Sequence, residues 1–423
     1  MMNRLPDLSD RQAVYCYSFR QKDRHAVCCH AFCPETGMRL LPCFLSGKGL
    51  YMRKLPVAAA MLAAMFTISV LFAYAEPSGE SIPAEDDNIH YYRTLLTDEE
   101  QLVYDALLVC ALSADPSERG EEIRITADPS GEEFKLMFRK SYNALIYDHP
   151  ELFWLSTSNS AFQFSYRRQL LSPNYYRVAF QIDGEFPVKD AQMKELDKAA
   201  EELLSGIDLT EPAPLVALEI HDRLIDLVTY DKDAAEVLDK DLAHTAYGAL
   251  VENTSGYSNT AVCDGYSYAY EYLLQKAGIR SVIVAGRAGE TEETAGSHSW
   301  NLVELDDEWY EVDATWNDIS VEDALDSEEE YSEIAEEAIR NEWYTDKLTH
   351  FLFNVTTEEI SDFKPGKYFR YTNDRGWVSF LGDSVHIRYT EEDSESTGDY
   401  MSPMAPVAEG MQYTYEELKD ELE

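Results

Sequence analysis

Positive charge is scarce in this 423-residue chain: 35 Lys and Arg stand against 79 Asp and Glu, a formal net charge of −44. Gripping a phosphate backbone or an anionic lipid surface takes patches of Lys and Arg, so nucleic acid and anionic membrane surfaces are excluded as partners. Cysteine is scarce as well. Of seven, five fall early (Cys16, Cys28, Cys29, Cys33, Cys43), leaving only Cys110 and Cys263 for the rest of the chain. Two cysteines cannot build a disulfide framework. No internal repeat and no low-complexity tract is present. What is present argues for folding: the chain is 45% hydrophobic and 12% aromatic, whereas disordered acidic chains lack aromatics. The length allows two or three domains.

The scarce residues are unevenly spread. Residues 1–54 hold nine Lys/Arg and four Asp/Glu, and residues 55–75 hold no charge. Removing those from the totals leaves 26 basic against 75 acidic residues from 76 onward, a net −49. The junction reads as a signal peptide: Met52, the basic pair Arg53-Lys54, an apolar run at 56–72, and Ala73-Tyr74-Ala75 as a small-x-small cleavage site. The rival reading is an uncleaved anchor, since a bilayer needs about 20 apolar residues. Either way residues 76–423 are expected outside the cytoplasm, secreted or at the cell surface, because the basic flank stays inside. Translation starting at Met52 would make residues 1–51 an untranslated or disordered extension. The alternative is a metal site from Cys28, Cys29, His30, Cys33 and Cys43, whose adjacent cysteines suit tetrahedral zinc poorly.

Beyond a polar linker at 76–90, the patterning divides the chain into an α+β region at 91–210, a second region at 211–365, and C-terminal strands with an acidic tail at 366–423. Thr97 followed by Glu100 is a capping box opening a helix whose apolar stripe carries Val103, Leu107 and Cys110. Cys110 on that stripe reads as core. Phe162, Phe164 and Tyr166 alternate, as do Tyr176, Val178, Phe180 and Ile182, with Ser172-Pro173-Asn174 between them, a β-hairpin. His149, before Pro150, reads as a turn residue, and His221 on an amphipathic helix as surface or satisfied core. The acidic run with Asp323, Asp326, Glu328, Glu329 and Glu330 lacks the spaced ligands and glycine of a calcium loop, so it reads as a solvated helix face. Residues 391–404 read as a polar, flexible tail.

The informative stretch is 244–318. After Ala261-Val262-Cys263-Asp264-Gly265-Tyr266 the pattern turns helical, with Gly278 as a C′ residue. Cys263 therefore stands at a helix N-terminus, where unpaired N–H groups and the positive dipole end favour a thiolate and can bind an oxyanion. Gly265 would leave room for a substrate, and Asp264 opposes the thiolate unless it turns back to cap the helix. A nucleophilic Cys needs a base and the base an orienter. His298-Ser299-Trp300-Asn301 and Tyr310-Glu311-Val312-Asp313 flank Asp306-Asp307. A two-residue turn there sets Asp313 opposite Trp300, which shares a sheet face with His298, so His298 and Asp313 become diagonal neighbours. Each residue alone has a bland reading; the three together are much less expected by chance.

These segments, with Ala314-Thr315-Trp316 following Asp313, resemble the three core motifs of the transglutaminase-like superfamily, bacterial secreted type. The motifs cover roughly residues 215–318, and Phe351 to Thr356 resembles the segment that closes that domain. The resemblance implies an α+β fold with a papain-like core, a nucleophile helix packed on an antiparallel sheet, and no cofactor or metal. It implies Cys263 as nucleophile, His298 as general acid/base and Asp313 as its orienter, acting through a thioester on peptide or protein amides. Papain-like relatives place a Gln shortly before the Cys and animal transglutaminases a Trp further upstream; residues 244–262 hold neither. Tyr230 and Tyr257, with Trp300, are the remaining candidates for oxyanion or substrate contact. The expected activity is hydrolysis, as peptidase or amidase, rather than cross-linking, on a peptide or protein substrate at the cell surface. The membrane enters only through an uncleaved signal anchor. The alternative is a catalytically weak module for binding or surface assembly, using the aromatic N-terminal region.

Overall fold

The computed structural model describes residues 89–318 apart from 158–160, 170–171, 173, 185, 187 and 237–240, then 349–364 and 383–422, with backbone alone at 13–16, 371–373 and 376–378. The expected signal peptide, the expected linker up to residue 88, the early cysteines other than Cys16 and the acidic run at 323–330 lie outside the described residues.

The chain from residue 91 begins with helices α1 (Tyr91–Leu95), α2 (Asp98–Leu112) and α3 (Glu132–Asp148). At the start of α2 the capping box closes both ways. Thr97 Oγ1 accepts the Glu100 N–H, and Glu100 Oε2 accepts the Thr97 N–H at 2.9 Å. These groups would otherwise be orphan donors of the first turn. Cys110 is buried on the α2 stripe, its thiol donating to the Phe180 carbonyl at 3.4 Å. Burial pushes that thiol up to about 11, a core cysteine with little nucleophilic character.

Strands β1 (Ile123–Ile125), β2 (Ala161–Arg168) and β3 (Tyr176–Asp183) join Ala13–Cys16 in a four-stranded antiparallel sheet, ordered Ala13–Cys16, β2, β3, β1. The alternation seen in the sequence lands as cross-strand pairs, Phe162 opposite Ile182 and Phe164 opposite Phe180. Their inward face packs on α3, with Phe134 and Phe164 ring centroids 4.9 Å apart.

The chain then runs through α4 (Lys189–Leu204), α5 (Ala213–Leu227), α6 (Ala246–Leu250) and α7 (Cys263–Lys276). Next come β4 (Ser281–Gly289), β5 (Gly296–Leu305), β6 (Glu308–Val312) and α8 (Ala314–Asn317). After residue 349 follow α9 (Thr357–Ser361) and β7 (Val385–Arg388). The second sheet is ordered β7-β4-β5-β6, antiparallel throughout. Its β5–β6 turn is Asp306-Asp307, both at positive φ (51° and 66°), the conformation a tight two-residue hairpin demands and Asp tolerates. That turn sets Leu305 opposite Glu308 and Asn301 opposite Val312, the register the sequence predicts.

His149 sits at the end of α3 against Pro150, and His221 is fully buried on α5. The segment 391–404, expected to be a flexible tail, is instead packed. Asp399 accepts the Met401 and Ser402 N–H groups, Tyr147 donates to its carboxylate, and Ser402 Oγ accepts the Ala285 N–H at 2.7 Å. Its polar side chains are spent on local turns and caps, which makes a polar composition compatible with burial. One contiguous apolar core runs from Tyr92 to Leu418. Among the described residues, no helix is long and apolar enough to cross a membrane.

Candidate active site

Val262 is extended and Cys263 is the first residue of α7, so the sulfur stands where the helix's first N–H groups have no intrahelical acceptor. Cys263 is partly exposed. Two features near it differ from the sequence-based expectation. Gly265 makes no room for a substrate: a Cβ there would lie 2.4 Å from the Ala243 carbonyl and 2.7 Å from Ala261 Cβ, so the glycine lets the 243 segment press against the helix. Asp264 does not cap the helix. Its carboxylate accepts from Ser299 Oγ at 2.8 Å and pairs with His244 Nδ1 at 3.0 Å. Burial pushes the Asp264 carboxyl up, but the His244 and Ser299 hydrogen bonds outweigh it and hold the group ionised. The Cys263 thiol itself approaches Asp264 Oδ1 at 4.0 Å. His244 carries no local sequence signal for this role.

His298 on β5 meets Asp313, just past β6, with Nε2 2.7 Å from Oδ2. Cys263 stands near enough to the same imidazole to raise it, and with Nε2 committed to Asp313 the nitrogen left to face sulfur is Nδ1. Burial would push His298 down, but Asp313 beside it, and then the sulfur, reverse this and hold it up at about 10. Asp313 is fully buried; desolvation pushes its carboxyl up, and the two histidines that bond it bring it well below the usual carboxylate range. The structure therefore brings Cys263, His298 and Asp313 together, with the His298–Asp313 pair ionised.

The other candidates fare differently. Tyr230 pairs in parallel with Ala261, two residues before Cys263. Burial and then the nearby sulfur charge raise its hydroxyl to about 12, so it stays a proton donor on the sulfur's side of the site. Tyr257 stands in solvent, 65% exposed, on the turn whose backbone Asn253 braces. Trp300 is buried with its ring stacked beside His298, and its indole N–H donates to Glu311 Oε2 at 2.6 Å, so that N–H is committed to the protein.

Several residues to which the sequence assigns no role complete the arrangement. Trp316 donates its backbone N–H to Asp313 Oδ1 at 3.0 Å. On the edge strand β7, His386 Nε2 lies 2.9 Å from Asp313 Oδ2 and Arg388 reaches Glu311 at 2.8 Å. Gly286 on β4 permits this approach, since a Cβ there would come within 2.3 Å of the Ile387 carbonyl and 2.9 Å of the Trp300 ring. A glycine inside an otherwise apolar strand is the sequence signal of such a close approach.

Two His–Asp–His groups have ligand atoms close enough to consider a metal: His298, Asp313, His386 and His221, Asp222, His350. In the second, Asn317 Oδ1 accepts the Leu352 N–H, which turns its amide nitrogen toward His221 Nε2 at 3.0 Å. His221 Nε2 is thus an acceptor, and its proton sits on Nδ1 and donates to Asp222 at 2.9 Å. A metal on Nδ1 would force two donors against each other at Asn317. The cluster serves instead as a pedestal: Asn317 donates its N–H to the Asp313 carbonyl, and Asp313 donates its N–H to the Leu352 carbonyl. The first group belongs to the candidate active site.

A helix opening on a cysteine, packed on an antiparallel sheet that brings up His and then Asp in that order, is the α+β arrangement that the resemblance to transglutaminase-like proteins leads one to expect. No family model matches the chain. It is similar to the mouse (Mus musculus) kyphoscoliosis peptidase, 28% identical over 96 residues, which span 21% of this chain and 14% of that protein. Among solved structures it is similar to a TGase (TM-score 0.24, 14% identity, covering 33% of this chain and 41% of that one). A further match is the periplasmic domain of TgpA from Pseudomonas aeruginosa, bound to ethylmercury (TM-score 0.22, 16% identity, covering 38% and 74%).

Proposed function

We propose that this chain is an extracytoplasmic cysteine enzyme that cleaves peptide or protein amides by acyl transfer, with water as the usual acceptor. The observation that carries the reading is the junction of Cys263 at the α7 N-terminus with the buried His298–Asp313 pair at 2.7 Å. The Cys263 thiolate attacks the amide carbon, and the carbonyl π electrons move to oxygen. As the tetrahedral adduct collapses, the C–N bond breaks and His298 Nδ1–H gives its proton to the leaving amine, leaving a thioester. His298 then takes a proton from water, whose oxygen attacks the thioester; the C–S bond breaks, the carboxylic acid leaves, and the thiolate with protonated His298 is restored. In this reading the N–H groups of the first turn of α7, with the Tyr230 hydroxyl, receive the oxyanion. An amine in place of water would give transamidation, but that needs a site sheltered from water. Export rests on the apolar run and Ala73-Tyr74-Ala75.

The test is iodoacetamide labelling at pH 6.5, followed by mass spectrometry. Wild-type Cys263 is expected to label at least tenfold faster than in His298→Ala, because only the thiolate is nucleophilic. Equal, slow labelling in both would refute an activated cysteine and favour a binding module. Where activation holds, a peptide library incubated with and without added amine separates hydrolysis from transfer.

A further inference from the structure

The carboxylate that orients His298 is shared. Asp313 Oδ2 takes His298 Nε2 at 2.7 Å and His386 Nε2 at 2.9 Å, while Oδ1 takes the Trp316 N–H at 3.0 Å. A single ionised oxygen between two imidazoles requires an N–H donor on each side. His386 is 3% exposed, and its other nitrogen, Nδ1, is buried with no hydrogen-bond partner. One nitrogen facing a carboxylate and the other facing nothing fixes the tautomer, with the proton on Nε2. His386 is walled by rings, with centroids 4.8 Å from Trp316, 5.2 Å from Trp300 and 5.4 Å from His298. The charged and titratable groups around it are Asp313, His298 and Glu311. Burial first, and then the neighbouring His298 charge, keep it neutral, so it donates a hydrogen bond without competing for the role of cation.

Its place in the chain gives this meaning. His386 lies 73 residues beyond Asp313, on a strand that adds to the sheet edge through β4, with His386 opposite Ala288 and Arg388 opposite Gly286. The same strand face carries Arg388, which pairs with Glu311; Glu311 in turn holds the Trp300 indole. One strand thereby fixes both acidic residues of the β6 end, two positions apart.

We infer that His386 is a positioning residue of the active site, whose Nε2–H holds the Asp313 carboxylate in the rotamer that orients His298, so that the C-terminal strand completes the site. The inference rests on the acyl-transfer reading for its catalytic meaning. A buried carboxylate that loses one of three donors can turn about Cβ–Cγ, and His298 then loses its fixed partner. Hydrogen bonds to charged groups contribute about 1.5–3 kcal/mol, which corresponds to roughly a ten- to 150-fold change in rate.

The experiment needs no substrate. In wild-type protein with 15N-labelled histidine, the buried imidazole N–H signals from Nε2 that face carboxylates, those of His298, His386 and His350, should appear downfield and resist exchange. Their assignment uses His386→Gln, whose amide nitrogen can stand where Nε2 stood, and His386→Phe, which keeps a ring but no donor. His386→Phe should lose one signal, shift that of His298, leave that of His350 in place, and slow Cys263 alkylation at pH 6.5 by at least about tenfold per folded molecule. His386→Gln should recover most of that rate. Alkylation that is as fast in His386→Phe as in wild type, or as slow in His386→Gln as in His386→Phe, overturns the inference. So does wild-type protein with His386 Nε2 unprotonated, a result available even where the Phe variant does not fold. An inactive Cys263 in wild type would sink the enzyme reading instead, and the two failures are read from different samples.

Discussion

Replacing Asp313 by Asn removes the buried counter-charge of His298 while keeping the side chain's size, and the structure gives the cost and its pH dependence. An imidazole held at about 10 against an ordinary 6.5 corresponds to about 5 kcal/mol at 1.36 kcal/mol per pH unit. This is an upper figure, because the sulfur of Cys263 supplies part of it. Breaking one side of a buried ion pair costs about 3–5 kcal/mol by a separate route, so the two agree. The raised His298 contributes fully below about pH 6.5, and that contribution drains away as pH climbs toward 10. The depressed Asp313 contributes above about pH 4 and is lost on acidification. Denaturant unfolding of wild type and Asp313→Asn should therefore differ by about 3–5 kcal/mol near pH 6. The gap should shrink steadily above pH 7 and fall near pH 10 to the ~1 kcal/mol of an ordinary hydrogen bond. A difference that stays flat from pH 5 to 10, or stays under ~1 kcal/mol at pH 6, would refute the ionised His298–Asp313 pair.

Gly286→Ala forces a Cβ against the Ile387 carbonyl and the Trp300 ring. It should cost about 1–3 kcal/mol, read by thermal melting, and slow Cys263 labelling by pushing β7 away from Asp313. Arg388→Met leaves the buried Glu311 beside Trp300 without its ion-pair partner. A loss of about 3–5 kcal/mol in denaturant unfolding is expected, with a changed near-ultraviolet signal from Trp300. In native protein, iodoacetamide should mark Cys263 and spare Cys110, whose thiol burial holds at about 11; unfolding should equalise them.

Elements whose signals are local are legible in the sequence. Thr97 and Glu100 sit three residues apart, and their reciprocal bonds form within one turn. The Asp306-Asp307 turn and strict strand alternation set the register that pairs Leu305 with Glu308, and from it the meeting of His298 with Asp313. Residues 391–404 mislead, because polar composition is the same for a solvated tail and for a segment whose polar groups bond to its own backbone, as Asp399 does. Gly265 misleads similarly: a missing Cβ beside a nucleophile admits either a substrate or a neighbouring chain, and here Ala243 and Ala261 take the space.

The sequence by itself determined which residues meet at the candidate site, Cys263 then His298 then Asp313, because helix onset and hairpin parity are set by neighbours a few residues away. It also determined that Cys110 is core, from one apolar stripe. Only the tertiary structure decided what surrounds that chemistry. His244 reaches Asp264 across 20 residues, Asn317 reaches His221 across 96, and His386 reaches Asp313 across 73. Such contacts depend on which sheet edge a late strand joins and where a glycine lets it approach. That choice is made by the burial of the whole core, and no local pattern in the sequence records it.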